Sequence, residues 1–359
     1  MHRKLFIPGP VEVSPQALQA LATPMIGHRG PEYSELHARV VEKLQRLLRT
    51  RADVFLATCS ASGVMEAVIR NLSAKRILAC SCGVFSERWF EFCAANGKAA
   101  DPLRVEWGSA IKPEMVDAAL RRGEYDLVLC VHNETSTGIM NPIAEIGDVV
   151  RKFAGVLFAV DAVSSMALVP INVDDWNLDV CLAGSQKGFA LPPGLSILSV
   201  SAAALERART VRHRGAYLDF VEFKQFAEKN QTPTTPAISL IHALNFQLDQ
   251  FFAEGLEEHW SAIRAMAEEC RAWAKERGLA LFPERGYEST TLTVTHSQGF
   301  DMSDVKREMA MRGYTIDDGQ GMLLGRLRGK TLRVSHMGYC SLEDLRDLLR
   351  QLDEVLKFK

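Results

Sequence analysis

Residues 179–194 read DVCLAGSQKGFALPPG. The run begins as a buried strand, Val180 to Ala183, and ends on a loop braked by Pro192 and Pro193. Between them stands Lys187, with Phe189, Ala190 and Leu191 behind it. Lysine is almost never fully buried unless something pairs with it or reacts with it. A second apolar run, VLFAVD at 156–161, ends on an equally ill-placed charge, Asp161. The separation, 187 − 161 = 26 residues, fits a crossover between neighbouring strands of one sheet. Two charges at the ends of two buried parallel strands would share a rim, and that reading decides the fold.

Working outward, short apolar runs recur at 53–58, 76–80, 103–107, 126–132, 156–161, 179–184 and 195–201. Several gaps between them carry amphipathic helical patterns, such as SGVMEAVIRNL and KPEMVDAALRR. Strands separated by helices predict βαβ units and a doubly wound, mostly parallel α/β sheet. The runs are too apolar to leave a face wet, as expected with helices on both sides. Past residue 237 two long helices follow, AISLIHALNFQLDQFF and LEEHWSAIRAMAEECRAWAKERG, the second stopped by Gly278. Then come strand STTLTVTH, helix DMSDVKREMAMRG, strand KTLRVSHMG and a final helix opening on Ser341-x-x-Asp344, a capping pattern. The division expected is a large α/β domain over 15–250, a small α+β domain over 251–359, and an N-terminal arm, 1–14, packed near the active site.

Bulk properties narrow the function. Of 359 residues, 47% are hydrophobic and 24% charged, and the net charge is −2. That balance leaves no electrostatic footprint for nucleic acid or an anionic membrane. The opening MHRKLFIPGP reaches two prolines before an apolar signal segment can form. The long uncharged run GFALPPGLSILSVSAAAL carries paired prolines, which argue for a loop and a buried strand rather than a membrane span. Eight cysteines lie scattered, without C-x-x-C pairs or zinc spacing, so no metal and a reducing cytoplasmic setting are expected.

Ligands in parallel α/β sheets sit at the carboxyl ends of the strands, and four motifs fall there. In TCSASGVMEAV, a strand end leads through Ser60, Ala61 and Ser62 into a helix. Small residues at a helix N-terminus form a phosphate cup, though a serine-capped helix start reads the same way. Asp161 could be a helix cap, a metal ligand or the partner of a protonated ring nitrogen. Lys187 is the third element, and VHNETSTGIMNP the fourth. A phosphate cup, an acid and a buried lysine on one rim together describe a pyridoxal phosphate (PLP) site. No G-x-G-x-x-G follows the first strand, which sets a dinucleotide site aside.

On these residues the chain resembles the class V aminotransferases of PLP-dependent transferase fold type I, in the alanine–glyoxylate/serine–pyruvate group. The likeness runs from IPGPVEVSP and GHRGPEYSEL through SASGVMEAV, CGVFSERW, HNETSTGIMNP, VDAVSS, GSQKGFALPPG and TPTTPAISL to LRVSHMG. It implies that Lys187 is the Schiff-base lysine and proton shuttle, and that Asp161 pairs with the pyridine nitrogen. It implies further that Ser60, Ala61 and Ser62 hold the phosphate with Gln186 beside them, that Thr135 lies near the ring hydroxyl, and that Phe85 stacks on the cofactor. Arg333 would take the substrate carboxylate, as a guanidinium fork matches two oxygens, with Gly9 also at the substrate. The resemblance implies a homodimer in which the QTPTTP loop, with Gln231 and Thr234, reaches the partner's phosphate. The stacking position often carries tryptophan or tyrosine in the group, and an aromatic residue often stands where Gln231 does. The expected reaction moves an amino group from alanine or serine to glyoxylate or pyruvate. Aspartate would want a second cation, which Arg29 could supply. The rivals are a cysteine desulfurase-like lyase using Cys340 and a catalytically silent binding subunit of the same fold.

Overall fold

The computed structural model describes residues 2–317 and 326–358. Its centre is a seven-stranded sheet in the order Asp53–Ala57, Ser196–Val200, Val180–Gly184, Leu157–Asp161, Leu127–Val131, Ile77–Ser81, Ala100–Arg104. Four of the six pairings are parallel, and only Ser196–Val200 runs against the rest. The chain thus has the doubly wound, mostly parallel sheet expected of it.

Side-chain alternation explains why both faces are buried. In Leu157–Asp161, Phe158 and Val160 enter one core while Leu157 and Ala159 enter the other. Successive strand residues point to opposite faces, and helices cover each. Ala61–Leu72 packs Val64, Val68 and Leu72 on one side, and Pro31–Leu48 packs Val40, Leu44 and Leu48 on the other.

One strand lies elsewhere than its apolar pattern predicts. The run 103–107 suggests a strand, but the ladder with Ile77–Ser81 is made by Ala100–Arg104. This is a sheet edge, half-buried, with Pro102 in it. Proline withholds a ladder hydrogen bond and is tolerated on edges, and this strand lacks the double burial that would set its register from hydrophobicity. Trp107, which belongs to the apolar run, instead lies under the Arg326 guanidinium, 5.2 Å from its ring centre.

Two helices, Ile238–Glu254 and Leu256–Glu276, are broken only at Gly255, whose φ is +96°. They lead to a third core that gathers Ile263, Met266 and Trp273 with Met309, Leu332, Val334, Leu345 and Leu352. Phe6 and Val11 belong to it as well, because Lys4–Leu5 pairs in parallel with Tyr314–Thr315. Ser341 and Asp344 cap the last helix reciprocally, as their spacing predicts.

Candidate active site

The parallel strands bring their carboxyl ends to one rim, and the charged residues singled out in the sequence meet there. Asp161 is the last residue of its strand and is buried. Its Oδ1 accepts the Val163 N–H at 2.8 Å, and among the described residues its carboxylate has no other hydrogen-bond partner. Burial pushes its pKa up from 3.8 to about 6, Glu134 adds to the rise, and the Val163 bond and Lys187 work against it.

Lys187 follows the neighbouring strand and is also buried, at 8% exposure. Its Nζ donates to Ser164 Oγ at 3.0 Å and lies 5.6 Å from the centre of the Phe85 ring. Burial lowers the amine from 10.5 to about 8, and the Arg333 charge pushes the same way, against Asp161, Glu134 and Asp317. The amine is therefore far more often neutral, and so nucleophilic, than a surface lysine at the same pH.

Phe85 owes its position to a buried carboxylate. Glu134 accepts from the Phe85 and Ser86 N–H groups at 3.3 and 3.0 Å, from Ser86 Oγ at 3.0 Å and from Ser136 Oγ at 2.6 Å. It thereby satisfies the first turn of Val84–Ala95, where the helix dipole favours an anion. The packing is close enough that a Cβ on Gly83 would stand 2.5 Å from Glu134 Cγ.

The phosphate-cup candidates sit on the same rim. Ser60 occupies the N-cap of Ala61–Leu72 but makes no side-chain capping bond. Its hydroxyl is thus not spent on the cap, and the first-turn N–H groups of Ala61 and Ser62 point out of the helix end. Gln186 Oε1 lies 2.5 Å from where a Cβ on Gly184 would be, and its carbonyl accepts the Val11 N–H at 3.1 Å. That bond seats the N-terminal arm against Lys187. Gly9 has φ +114°, and a Cβ there would stand 2.9 Å from Lys187 Cε. Both facts favour glycine at this position.

Arg333 lies in Thr331–Ser335 and is 3% exposed. Its Nη1 donates to the Thr135 carbonyl at 3.0 Å, and its Nε and Nη2 donate to Asp317 Oδ1 at 3.0 and 2.5 Å. Gln231 and Thr234 are held from another side. Arg29 donates to Gln231 Oε1 at 3.2 Å and to the carbonyls of Thr232 and Pro233, and it lies over Phe226. The Thr234 carbonyl accepts from Thr232 Oγ1. The loop ends beside the cup, where the Ala237 N–H meets Thr58 Oγ1 at 2.9 Å.

Three residues of this site were missed by the sequence reading. Glu134 and Ser164 stood inside quoted motifs, and a lone charge among the hydroxyl residues of NETSTG was a usable signal. Asp317 gave none, because only the fold brings it to Arg333. Cys340, the nucleophile that a lyase would need, is half-buried, and burial pushes its thiol up to about 12. Such a thiol is inert at neutral pH.

A family model described as Aminotransferase class-V matches residues 16–348. The chain is 37% identical to an uncharacterized aminotransferase of Methanocaldococcus jannaschii, covering 99% of this chain and 93% of that one. It is 32% identical to an L-aspartate–glyoxylate aminotransferase of Paracoccus denitrificans, covering 93% and 86%. Among solved structures, an alanine–glyoxylate aminotransferase from Nostoc sp. superimposes with a TM-score of 0.93 at 28% identity, covering 99% and 96%.

Proposed function

The chain belongs to the class V aminotransferases, and from that premise we propose that it transfers the amino group of a small monocarboxylic amino acid, alanine or serine, to glyoxylate or pyruvate. The cofactor proposed is pyridoxal phosphate. The observation that carries the reading is the pair Asp161 and Lys187, both buried on one rim, the acid raised to about 6 and the amine lowered to about 8. The donor set fits that group. Lys187 offers a buried amine for an aldehyde, and Asp161 a carboxylate with one oxygen unclaimed among the described residues. Ser60 and the helix end offer donors for a phosphate, and Phe85 an aromatic face.

When bound, pyridoxal phosphate supplies an electrophilic carbon for the amino group and a ring that withdraws charge from the substrate's α-carbon. The residues of this chain would do the rest. Lys187 would hold the aldehyde carbon and, once released, carry a proton to and from the substrate α-carbon as a base of matched pKa. Asp161, ionised, would keep a proton on the ring nitrogen. Ser164 would orient the amine and Glu134 would fix the helix end that bears Phe85. Arg333 would read the carboxylate, with Gly9 and the arm excluding water above Lys187. Gln186 and Thr135 complete the wall, and the loop of Gln231 and Thr234 is assigned to the phosphate of a partner subunit in a homodimer.

We also place the domain division at 250/251 and the protein in the cytoplasm. The eight free cysteines support that setting, and among the described residues no helix is long and apolar enough to cross a membrane. The test of function is a donor-by-acceptor screen of the purified protein with pyridoxal phosphate. Alanine or serine with glyoxylate or pyruvate is expected to give the highest kcat/KM. In Lys187→Ala the rate should fall by at least about 10³-fold, since one amine serves both as anchor and as base. Turnover that survives this substitution, or no turnover with any pair, would overturn the proposal.

A further inference from the structure

The guanidinium assigned to the substrate carboxylate already holds a carboxylate. Arg333 is buried, and its Nε and Nη2 both donate to Oδ1 of Asp317. The contact is built into the backbone, where Arg333 N–H donates to the Asp317 carbonyl at 3.1 Å across an isolated bridge. Arginine has five N–H donors. Two go to Asp317 and one to the Thr135 carbonyl, which among the described residues leaves one on each terminal nitrogen.

Those two donors remain for a ligand carboxylate. The charge is another matter. The Asp317 charge opposes that of Arg333, so a substrate carboxylate gains directed hydrogen bonds but less attraction than a lone guanidinium would give. A second carboxylate on the same substrate meets repulsion from Asp317 where it comes close. Arg29, the cation expected from the sequence to serve a second carboxylate, already donates to Gln231, Thr232 and Pro233 and lies over the face of Phe226.

Resting on the reading of Arg333 as the carboxylate site, we propose that Asp317 is a specificity-determining residue that opposes the charge of Arg333 and so excludes dicarboxylic amino acids and oxo acids. Specificity of this kind works by penalising the wrong ligand rather than by gripping the right one.

The experiment compares the holoenzyme with its Asp317→Asn and Asp317→Ala variants in two readouts. Calorimetric titration with propionate and with succinate measures carboxylate binding without turnover, and kcat/KM with alanine and with aspartate measures use. The expected result is that wild type favours the monocarboxylate in both. Each variant should raise the succinate-to-propionate affinity ratio and the aspartate-to-alanine kcat/KM ratio at least tenfold, mainly through KM. Asparagine keeps an oxygen for Arg333, so a merely structural Asp317 would leave both ratios unmoved in that variant, and this would overturn the proposal. A wild type that binds succinate as well as propionate would overturn it too. Failure of the underlying reading looks different. If Arg333→Ala leaves propionate affinity unchanged, the carboxylate site lies elsewhere and the inference falls with it. If no pair is transaminated while the binding ratios shift as stated, the proposed reaction fails and the role of Asp317 stands.

Discussion

At the scale of single residues, the site is a set of opposed costs. Asp161 is kept from ionising freely by burial, with its pKa raised from 3.8 to about 6 in the cofactor-free protein. Between those values the folded chain binds more protons than the unfolded one, so stability falls as pH rises through that window. Removing the carboxyl charge should therefore help the fold and harm the chemistry. In cofactor-free Asp161→Asn, stability at pH 7 should exceed wild type by about 2–3 kcal/mol and the excess should vanish below about pH 4. In the holoenzyme kcat should fall while the cofactor stays bound. Denaturation curves at both pH values and steady-state rates check the two halves. Lys187 has the opposite sign. Its amine loses its proton at about 8 rather than 10.5, so the rate of pyridoxal phosphate capture should climb with pH to about 8 and then level, as stopped-flow absorbance would record. A climb that continues toward 10.5 would mean an exposed lysine. These two positions were legible because a charge ending an apolar run is costly and therefore conspicuous. Asp317 was not, since a partly exposed aspartate just past a two-residue strand looks like any surface acid until the fold sets it beside Arg333.

At the scale of elements, helix ends do most of the positioning. The start of Ala61–Leu72 is left without a side-chain cap, whereas the start of Val84–Ala95 is saturated by Glu134 and Ser86. One is open to an anion and the other already holds one. Gly83→Ala tests the second. Its Cβ would sit 2.5 Å from both Glu134 Cγ and Ser136 Oγ, far inside contact distance. We expect a loss of about 1–3 kcal/mol from this overpacking, together with a raised KM for the cofactor as Phe85 shifts. Thermal denaturation and cofactor titration measure the two effects. Six of the seven central strands lie where their apolar runs put them, because strands buried on both faces are hydrophobic throughout. The seventh, Ala100–Arg104, was read three residues late because this half-buried strand, with Asp101 and Pro102 in it, carries no such signal.

At the scale of the whole molecule, the chain closes on itself around the site. The first strand pairs with Tyr314–Thr315, Phe6 and Val11 join the core of the C-terminal helices, and Gly9 between them is pressed against Lys187. The start and the end of the chain thus meet over the amine that the middle supplies. The proposed homodimer extends the same logic across subunits through the loop of Gln231 and Thr234. Mixed dimers of Lys187→Ala and Thr234→Ala subunits should have two unequal sites in cofactor titration, and sedimentation at assay concentration should give a dimer. Periodicity made the doubly wound, mostly parallel sheet legible. The return of the arm was not, since nothing in IPGPVEVSP announces which distant strand its neighbour will join.

The central claim is that one buried amine anchors the cofactor, and a single mapping experiment addresses it. The protein is saturated with pyridoxal phosphate, reduced with borohydride, digested and read by mass spectrometry. The expected result is one stoichiometric pyridoxyl adduct on the peptide containing Lys187, lost in Lys187→Ala. An adduct on any other lysine, or none at all, would contradict the account.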